Sequence, residues 1–165
     1  MKQLKGISLS QLDFAPEHLG DLLYQEGPVL AHFVNKDNPA EHYLYRWTDM
    51  DDTNNRWLVI KLSEKQLFEY LSRQMSLLQL IQPASFGYFL DLDDDLRTNQ
   101  IFLTPVADIP ADYLPGSNSY FEEKQFEPYA AELRNRLKYK IPFDLALQKA
   151  LGELLKEYGK VEATA

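Results

Sequence analysis

Two aspartate-rich segments contain the residues of this sequence that are most suited to chemistry. The first combines carboxylates and an amide at nearly alternate positions with a flanking tryptophan and arginine: Trp47, Asp49, Asp51, Asp52, Asn55 and Arg56. Oxygen ligands spaced in this way can gather around Ca²⁺ or Mg²⁺. A calcium-binding loop, however, requires glycine where Asn54 stands and glutamate where Ile60 stands. We therefore expect an acidic hairpin turn with candidate binding residues and no bound metal or cofactor.

The second segment is Asp91 followed by Asp93, Asp94 and Asp95. It also fails the calcium-loop pattern, because Phe102 stands where the bidentate glutamate belongs. Strand alternation directs Asp91, Asp93 and Asp95 to the same side. Three such carboxylates would repel each other and favour a cation if they came close to the first segment. The pattern leaves open whether the two turns meet, and the alternative is a solvated turn.

Other catalytic motifs are missing from the sequence. There is no cysteine, which excludes disulfides, thiolate metal sites and a cysteine nucleophile. His18, His32 and His42 have no metal-ligand spacing, and the glycines form neither a phosphate-binding loop nor a nucleophile elbow. A Ser-His-Asp triad assembled from distant segments stays open, because its geometry ignores sequence order. We interpret His42 as a half-exposed structural residue.

Basic residues gather in one place, at Arg134, Arg136, Lys138 and Lys140. On a helix they border an apolar stripe, which is typical of solvated helix edges. Two alternatives are a small nucleic-acid footprint and a surface that docks against the acidic body or against a second copy of the chain.

Aromatic side chains are abundant, and Tyr43, Tyr45 and Trp47 share one face of a predicted strand. They could form a binding platform, since Tyr and Trp anchor interfaces. They could equally form the buried face that the helices cover, and this is the interpretation we favour. The opposite face of the strand would then be exposed to solvent: His42, Arg46 and Thr48.

Length and charge limit the function classes further. A chain of 165 residues fits one domain. The net charge of −8 resides entirely in residues 1–120, an acidic body, while residues 121–159 form a nearly neutral C-terminal helical module. An acidic protein is poorly suited to nucleic acid or to an anionic membrane. No leader or membrane span is evident, so we expect a cytoplasmic protein.

The elements that position these residues follow from periodicity and turn chemistry. Residues 13–24 read as a short helix with Pro16 in its first turn. Three strands in a meander over 28–62 and a hairpin over 86–104 predict a mainly antiparallel sheet of about five strands. Two capping boxes, at Ser63 and Ser76, predict short helices between them. The expected fold is therefore α+β, with helices packed on one face of the sheet.

The last third of the chain combines an irregular connection with helices. Residues 105–128 are rich in proline, glycine and serine, which predicts a long connection of functional or mobile character. Helices over 128–141 and 143–158 follow. The first has a stripe of Ala130, Leu133, Leu137 and Ile141, and the second a stripe of Leu147, Leu151, Leu154 and Tyr158.

The run from Tyr43 to Asp49, the run from Asn55 to Ile60 and the Ser76-Leu77 pair resemble an uncharacterised bacterial family with "YLYxWxD" and "NRWLV" strand motifs. The resemblance covers roughly residues 27–82. It supports the meander and implies no activity.

These observations predict a non-enzymatic protein-binding or adaptor module. Its partner would be another protein or a second copy that pairs through the last helix, whose stripe is too short to stand without the body. The alternatives are a metal-assisted hydrolase or nuclease that uses the aspartate turns and, third, an acidic decoy of a nucleic-acid-binding partner.

Overall fold

The computed structural model describes residues 1–122 and 128–164 and shows an α+β fold around a single antiparallel sheet. Seven strands form the sheet: β1 (Ile7–Ser8), β2 (Pro16–Tyr24), β3 (Pro28–Asn35), β4 (Asn38–Met50), β5 (Asn55–Leu62), β6 (Phe86–Leu92) and β7 (Thr98–Pro105). Their order is β1-β7-β6-β5-β4-β3-β2. The predicted meander and hairpin are confirmed, and the pairing of β5 with β6 joins them.

The predicted helix over residues 13–24 is wrong, because this segment forms the edge strand β2. Its pairing with β3 shifts register between His18 and Gly20 and again between Asp21 and Leu23. Each such irregularity inserts an extra residue into one strand. The apolar residues therefore lose the alternation of a strand and acquire a spacing that imitates a helix. The short strand β1, which pairs with β7, was also missing from the prediction.

Three helices accompany the sheet in the described part of the chain: α1 (Glu64–Leu71), α2 (Leu77–Ile81) and α3 (Pro128–Thr164). Both predicted capping boxes are present, with Ser63 accepting from the Gln66 backbone and Ser76 from the Gln79 backbone. Two 3₁₀ turns, Val106–Asp108 and Ala111–Tyr113, lie in the predicted irregular connection. Residues 123–127 of that connection lie outside the described part of the chain. No helix in the described ranges is long and apolar enough to cross a membrane.

The last helix differs from the prediction of two helices, because it continues through Pro142. Proline lacks the N–H that would bond to the Lys138 carbonyl, and its ring crowds that carbonyl. The loss of one bond costs a long helix less than a complete break, since turns on both sides stay hydrogen-bonded.

Helices cover one face of the sheet, as predicted, but not the face that we expected. The helix face carries Leu30, Leu44 and Leu58, which pack in one cluster with α1, α2 and the first part of α3. Tyr43 and Tyr45 lie on the other side, the aromatic face, which also contains Phe33, Trp57, Val59, Leu90 and Leu92.

The aromatic face is buried all the same, because the chain between β1 and β2 crosses it. Phe14 of this segment stacks on Tyr43 with ring centroids 3.9 Å apart, and Leu9 and Leu12 pack beside it. The expected exposure of His42, Arg46 and Thr48 is also wrong: His42 is buried, and the other two are half-buried. Both faces of the sheet thus contribute to a core.

Candidate functional site

The two aspartate turns lie at the same end of the sheet. The β5–β6 pairing sets Asn55 opposite Leu92, so the turn before β5 adjoins the turn after β6. A hydrogen bond of 2.6 Å connects this end of the sheet, from Asn99 Nδ2 in β7, just after the second turn, to Asn54 Oδ1 of the first turn. The sequence alone did not show whether the two turns lie close together.

Two carboxylates of these turns, those of Asp51 and Asp93, bond to the backbone of their own turns. Asp51 Oδ1 accepts from the N–H groups of Thr53 and Asn54, at 2.9 and 2.8 Å, and these bonds lower the pKa of Asp51. Asp93 Oδ1 accepts from the backbone N–H groups of Asp95 and Arg97. Within the part of the chain that the structure describes, no group of three or more His, Asp or Glu side chains could hold a metal ion. Asp52 and Asp95 are exposed.

Arg56 and Asp91 form a buried ion pair. Arg56 Nε and Nη2 donate to the two Asp91 oxygens at 2.7 and 2.8 Å, and both residues are at most 4% exposed. Arg56 Nη1 also donates to the Lys2 carbonyl at 2.6 Å. Burial opposes the charged form of Arg56, but the bonds to Asp91 outweigh it and raise the Arg56 pKa. This pair holds the N-terminal segment against the sheet, and both residues line an open cavity of about 470 Å³ together with that segment.

Asp49 has a similar structural role. Its Oδ2 accepts from the Tyr113 hydroxyl at 2.5 Å, and this bond lowers the pKa of Asp49. The same hydroxyl accepts from the Lys2 backbone N–H at 3.1 Å. Asp49 therefore links β4 to the 3₁₀ turn and, through it, to the N-terminus.

Three of the nine predicted site residues come together at one open cavity: Trp47, Asn55 and Asp93. Trp47 Nε1 donates to Asn55 Oδ1 at 3.1 Å, and Trp47 pairs across the strands with Trp57. The tryptophans thus form a continuous patch where the aromatic face meets the acidic turns.

A buried histidine network lies on the helix face. His32 Nδ1 is 2.8 Å from the Tyr129 hydroxyl, and His32 Nε2 is 2.9 Å from His42 Nδ1. His42 Nε2 lies 3.7 Å from Glu64 Oε1, which also binds Lys140. Burial, with the charge of His42 as a second cause, lowers the pKa of His32 to about 3. The interpretation of His42 as half-exposed was wrong, and only the setting of His32 in an apolar strand could have signalled this network.

The network fixes the first part of α3, from Tyr129 to Lys140. Between these two polar contacts, Ala130, Leu133 and Leu137 are buried in the core, as the predicted stripe requires. Gly20 of β2 provides room for the Tyr129 ring, since a Cβ at this position would lie 2.6 Å from it. We call residues 128–141 the docked part of α3.

The remainder of α3 exposes large apolar side chains. We call residues 142–158 the projecting part. At 100° per residue, these side chains and the preceding Tyr139 form one contiguous stripe: Tyr139, Phe143, Leu147, Leu151, Leu154, Leu155 and Tyr158, each between 48% and 73% exposed. Leu145 is 61% exposed but lies on the opposite side of the helix.

Comparison with known protein families, with curated proteins and with solved structures found no match. The resemblance to an uncharacterised bacterial family therefore stays a prediction.

Proposed function

We propose that this protein is a non-enzymatic protein-binding module that acts as a homodimer, joined through the projecting part of α3. The apolar stripe of that part is the observation that supports the proposal. Soluble monomers rarely expose contiguous apolar patches of this kind unless they serve an interaction. The docked part of the same helix anchors the stripe firmly to the body.

The energetics are compatible with pairing. Leu147, Leu151, Leu154 and Tyr158 follow the 4-3-4 spacing of a helix-pairing seam. Each is about half exposed, so burial contributes roughly 1 kcal/mol per side chain. The two copies together gain an amount comparable with the roughly 4–15 kcal/mol that association costs. Phe143 and Leu155, beside the seam, add to this gain, and we expect a weak dimer whose population rises with protein concentration.

The seam is self-complementary in an antiparallel pair. In that arrangement Leu151 of one copy faces Leu154 of the other, and Leu147 faces Tyr158, so every seam residue meets an apolar partner. The residues beside the seam are Phe143, Ala150 and Leu155 with Gln148 and Glu157, so like charges do not oppose each other. A second copy of the chain is therefore a suitable partner for the apolar stripe.

The distribution of charge also favours antiparallel pairing. The net charge of −8 belongs to residues 1–120, and two such bodies repel each other at short range. At ~1.5 Å per residue, each body lies ~19 Å from the centre of an antiparallel pair. The separation of the bodies then exceeds the Debye length of about 8 Å, whereas a parallel pair would set them side by side.

The alternative of a metal-assisted hydrolase has no support in the described geometry, because Asp51 and Asp93 bond to their own turns and Asp91 pairs with Arg56.

Light scattering after size exclusion tests the dimer over a range of concentrations. We expect a dimer for the unmodified chain and a monomer for the double variant Leu151→Glu/Leu154→Glu. Leu145→Glu is the matched control, since it introduces charge at an equally exposed leucine outside the stripe. A monomer at high concentration would assign the stripe to a different partner and overturn the proposal, as would an equal loss of dimer in the control.

Cross-linking tests the orientation, because the chain has no native cysteine. An antiparallel pair brings Leu151→Cys close to Leu154→Cys of the other copy. A mixture of the two single variants should then form covalent dimers faster than either variant alone. Fastest cross-linking of Leu151→Cys with itself would instead indicate parallel helices.

A further inference from the structure

An open cavity of about 660 Å³ lies at the end of the aromatic face, between the β2–β3 turn and the β6–β7 turn. This volume is within the range of small-molecule sites. The cavity is lined by residues of the two turns and of the strand ends between them: Gln25, Glu26, Gly27, Pro28, Val29, Trp47, Met50, Asn55, Trp57, Asp93, Asp94 and Leu96. A smaller pocket of about 20 Å³ shares Pro28, Trp57 and Leu96 with it and is also lined by Tyr45.

All charged side chains that line the cavity are acidic. Glu26, Asp93 and Asp94 contribute three carboxylates, and none of the twelve lining residues is basic. Trp47, Trp57, Met50 and Leu96 supply an aromatic and apolar surface. Carboxylates next to tryptophan faces attract an organic cation, because the ring face carries partial negative charge and the acids add a field of the same sign. The same lining repels anions.

Two buried polar atoms lack partners, one on a residue that lines this cavity and one on a residue that lines only the smaller pocket beside it. Trp57 is 4% exposed, and its Nε1–H has no hydrogen-bond acceptor in the described part of the chain. Tyr45 is 2% exposed, and its hydroxyl likewise has no partner among the described residues. A buried polar group without a partner costs about 1–3 kcal/mol. A ligand acceptor at Trp57 would remove that cost.

Both turns that border the cavity contain strained backbone. Glu26 has φ 52° and Leu96 has φ 61°. These are two of the three non-glycine residues with positive φ in the described ranges, the third being Arg73. Such conformations cost free energy in residues with a side chain, and they are found most often at active sites and ligand-binding sites.

We infer that this cavity binds an organic cation, an ammonium or guanidinium group on an apolar stem with a hydrogen-bond acceptor for Trp57. The cation lies against Trp47 and Trp57, and Glu26 and Asp94 balance its charge from the rim. A free amine and the side chain of a lysine or arginine residue share this chemistry. This site does not depend on dimerisation through α3.

Intrinsic tryptophan fluorescence reports directly on the site, because the only two tryptophans of the chain both line the cavity. The probes are benzyltrimethylammonium and phenethylamine, with phenethyl alcohol as the neutral analogue and 3-phenylpropionate as the anionic one. N-acetyl-lysine methylamide and its trimethylated form represent the peptide source. We expect saturable changes in emission with the cations, weaker ones with the alcohol and none with the carboxylate.

Variants test whether the change in tryptophan emission arises from binding at the lining residues. Glu26→Gln/Asp94→Asn should weaken binding of the cations roughly tenfold, as the loss of two partly exposed charge partners implies. Asp52→Asn is the matched control, since Asp52 is an exposed aspartate of the adjacent turn that does not line the cavity. Trp57→Phe should weaken the lysine amide, which offers an acceptor, more than benzyltrimethylammonium, which offers none.

Two results would overturn the inference: equal responses to the cation, the alcohol and the carboxylate, or no saturable change with any cation at millimolar concentration. If only the lysine amides bind, the ligand is a peptide side chain. If the free amines bind as tightly, it is a small molecule. The oligomeric state, measured on the same samples, separates failure of this site from failure of the dimer.

Discussion

Nε2 of His32 lies 2.9 Å from Nδ1 of His42, with the two imidazole rings nearly parallel. The bonds run in one direction when the Tyr129 hydroxyl donates to His32 Nδ1, His32 Nε2–H donates to His42 Nδ1 and His42 Nε2–H faces Glu64. Both rings are then neutral. The chain of bonds connects α3, the sheet and α1 through side chains that are largely withdrawn from water.

This network makes stability depend on pH. Unfolded His32 takes up a proton below about pH 6.5, whereas folded His32, with a pKa of about 3, does not. The unfolded state therefore binds more protons between these values, and the free energy of unfolding falls as the pH falls through this window. The loss attributable to His32 is about 2 kcal/mol by about pH 5.

Urea unfolding at a series of pH values measures this effect. His32→Gln should be less stable near neutral pH but lose less stability on acidification. His18→Gln, a change at an exposed histidine, should keep the steep pH dependence because His32 is intact. Equal slopes for the unmodified chain and His32→Gln would show that His32 is not the responsible group.

Gly20→Ala should release the docked part of α3. The added Cβ would lie 2.6 Å from the Tyr129 ring, and such overpacking costs about 2 kcal/mol. Thermal unfolding would show a lower midpoint, and hydrogen exchange would show faster opening of residues 129–137. Gly116→Ala is the control, because its Cβ would meet nothing within 4 Å. Similar midpoints for the two variants would contradict the close packing of Tyr129 on β2.

Asp91→Asn should lower the free energy of unfolding by about 3 kcal/mol, since it leaves Arg56 buried without its counter-charge. The double variant Arg56→Met/Asp91→Leu, which removes both charges and keeps the volume, should recover much of that loss. Chemical denaturation of the single and double variants measures both changes in the free energy of unfolding. A stable Asp91→Asn variant would indicate that Asp91 is available for a role other than this ion pair.

Arg73→Gly should raise the free energy of unfolding by about 1 kcal/mol. Arg73 follows α1 with φ 62°, and the bonds from Arg73 N to Tyr70 O and from Gln74 N to Glu69 O close the helix in a Schellman motif. Glycine adopts this left-handed conformation without the cost that a side chain adds. Ser72→Gly, one residue earlier at φ −91°, should bring no gain. A loss of stability in Arg73→Gly would mean that the arginine side chain contributes more than the strain costs.

The sequence predicted the elements whose patterns are local. Alternation and turn residues are sufficient for β3 to β7, and the Ser63 and Ser76 capping boxes identify α1 and α2. The edge strand β2 was missed because its register shifts disturb the alternation. Contacts between distant segments decide which face the helices cover and which face residues 9–15 cross. No local pattern contains that information.

The candidate site likewise combines residues that local patterns identify with residues that they do not. Trp47, Asn55 and Asp93 could be singled out because they lie in or next to conspicuous polar turns. The other contributions to the cavity, such as Glu26 and Leu96, come from turns that are distant in sequence and are joined only by the sheet. The burial of Arg56 and Asp91 could not be predicted, because a charged residue in a strand reads as a surface residue until its cross-strand partner is known.

The placement of β1 and β2 at opposite edges of one sheet has a consequence for biosynthesis. Ile7 pairs with Leu103, so β1 must wait for β7, the last strand in chain order, before it can dock. Contacts of such long range slow folding, and β1 would therefore have to remain unpaired in the nascent chain while the centre of the sheet assembles.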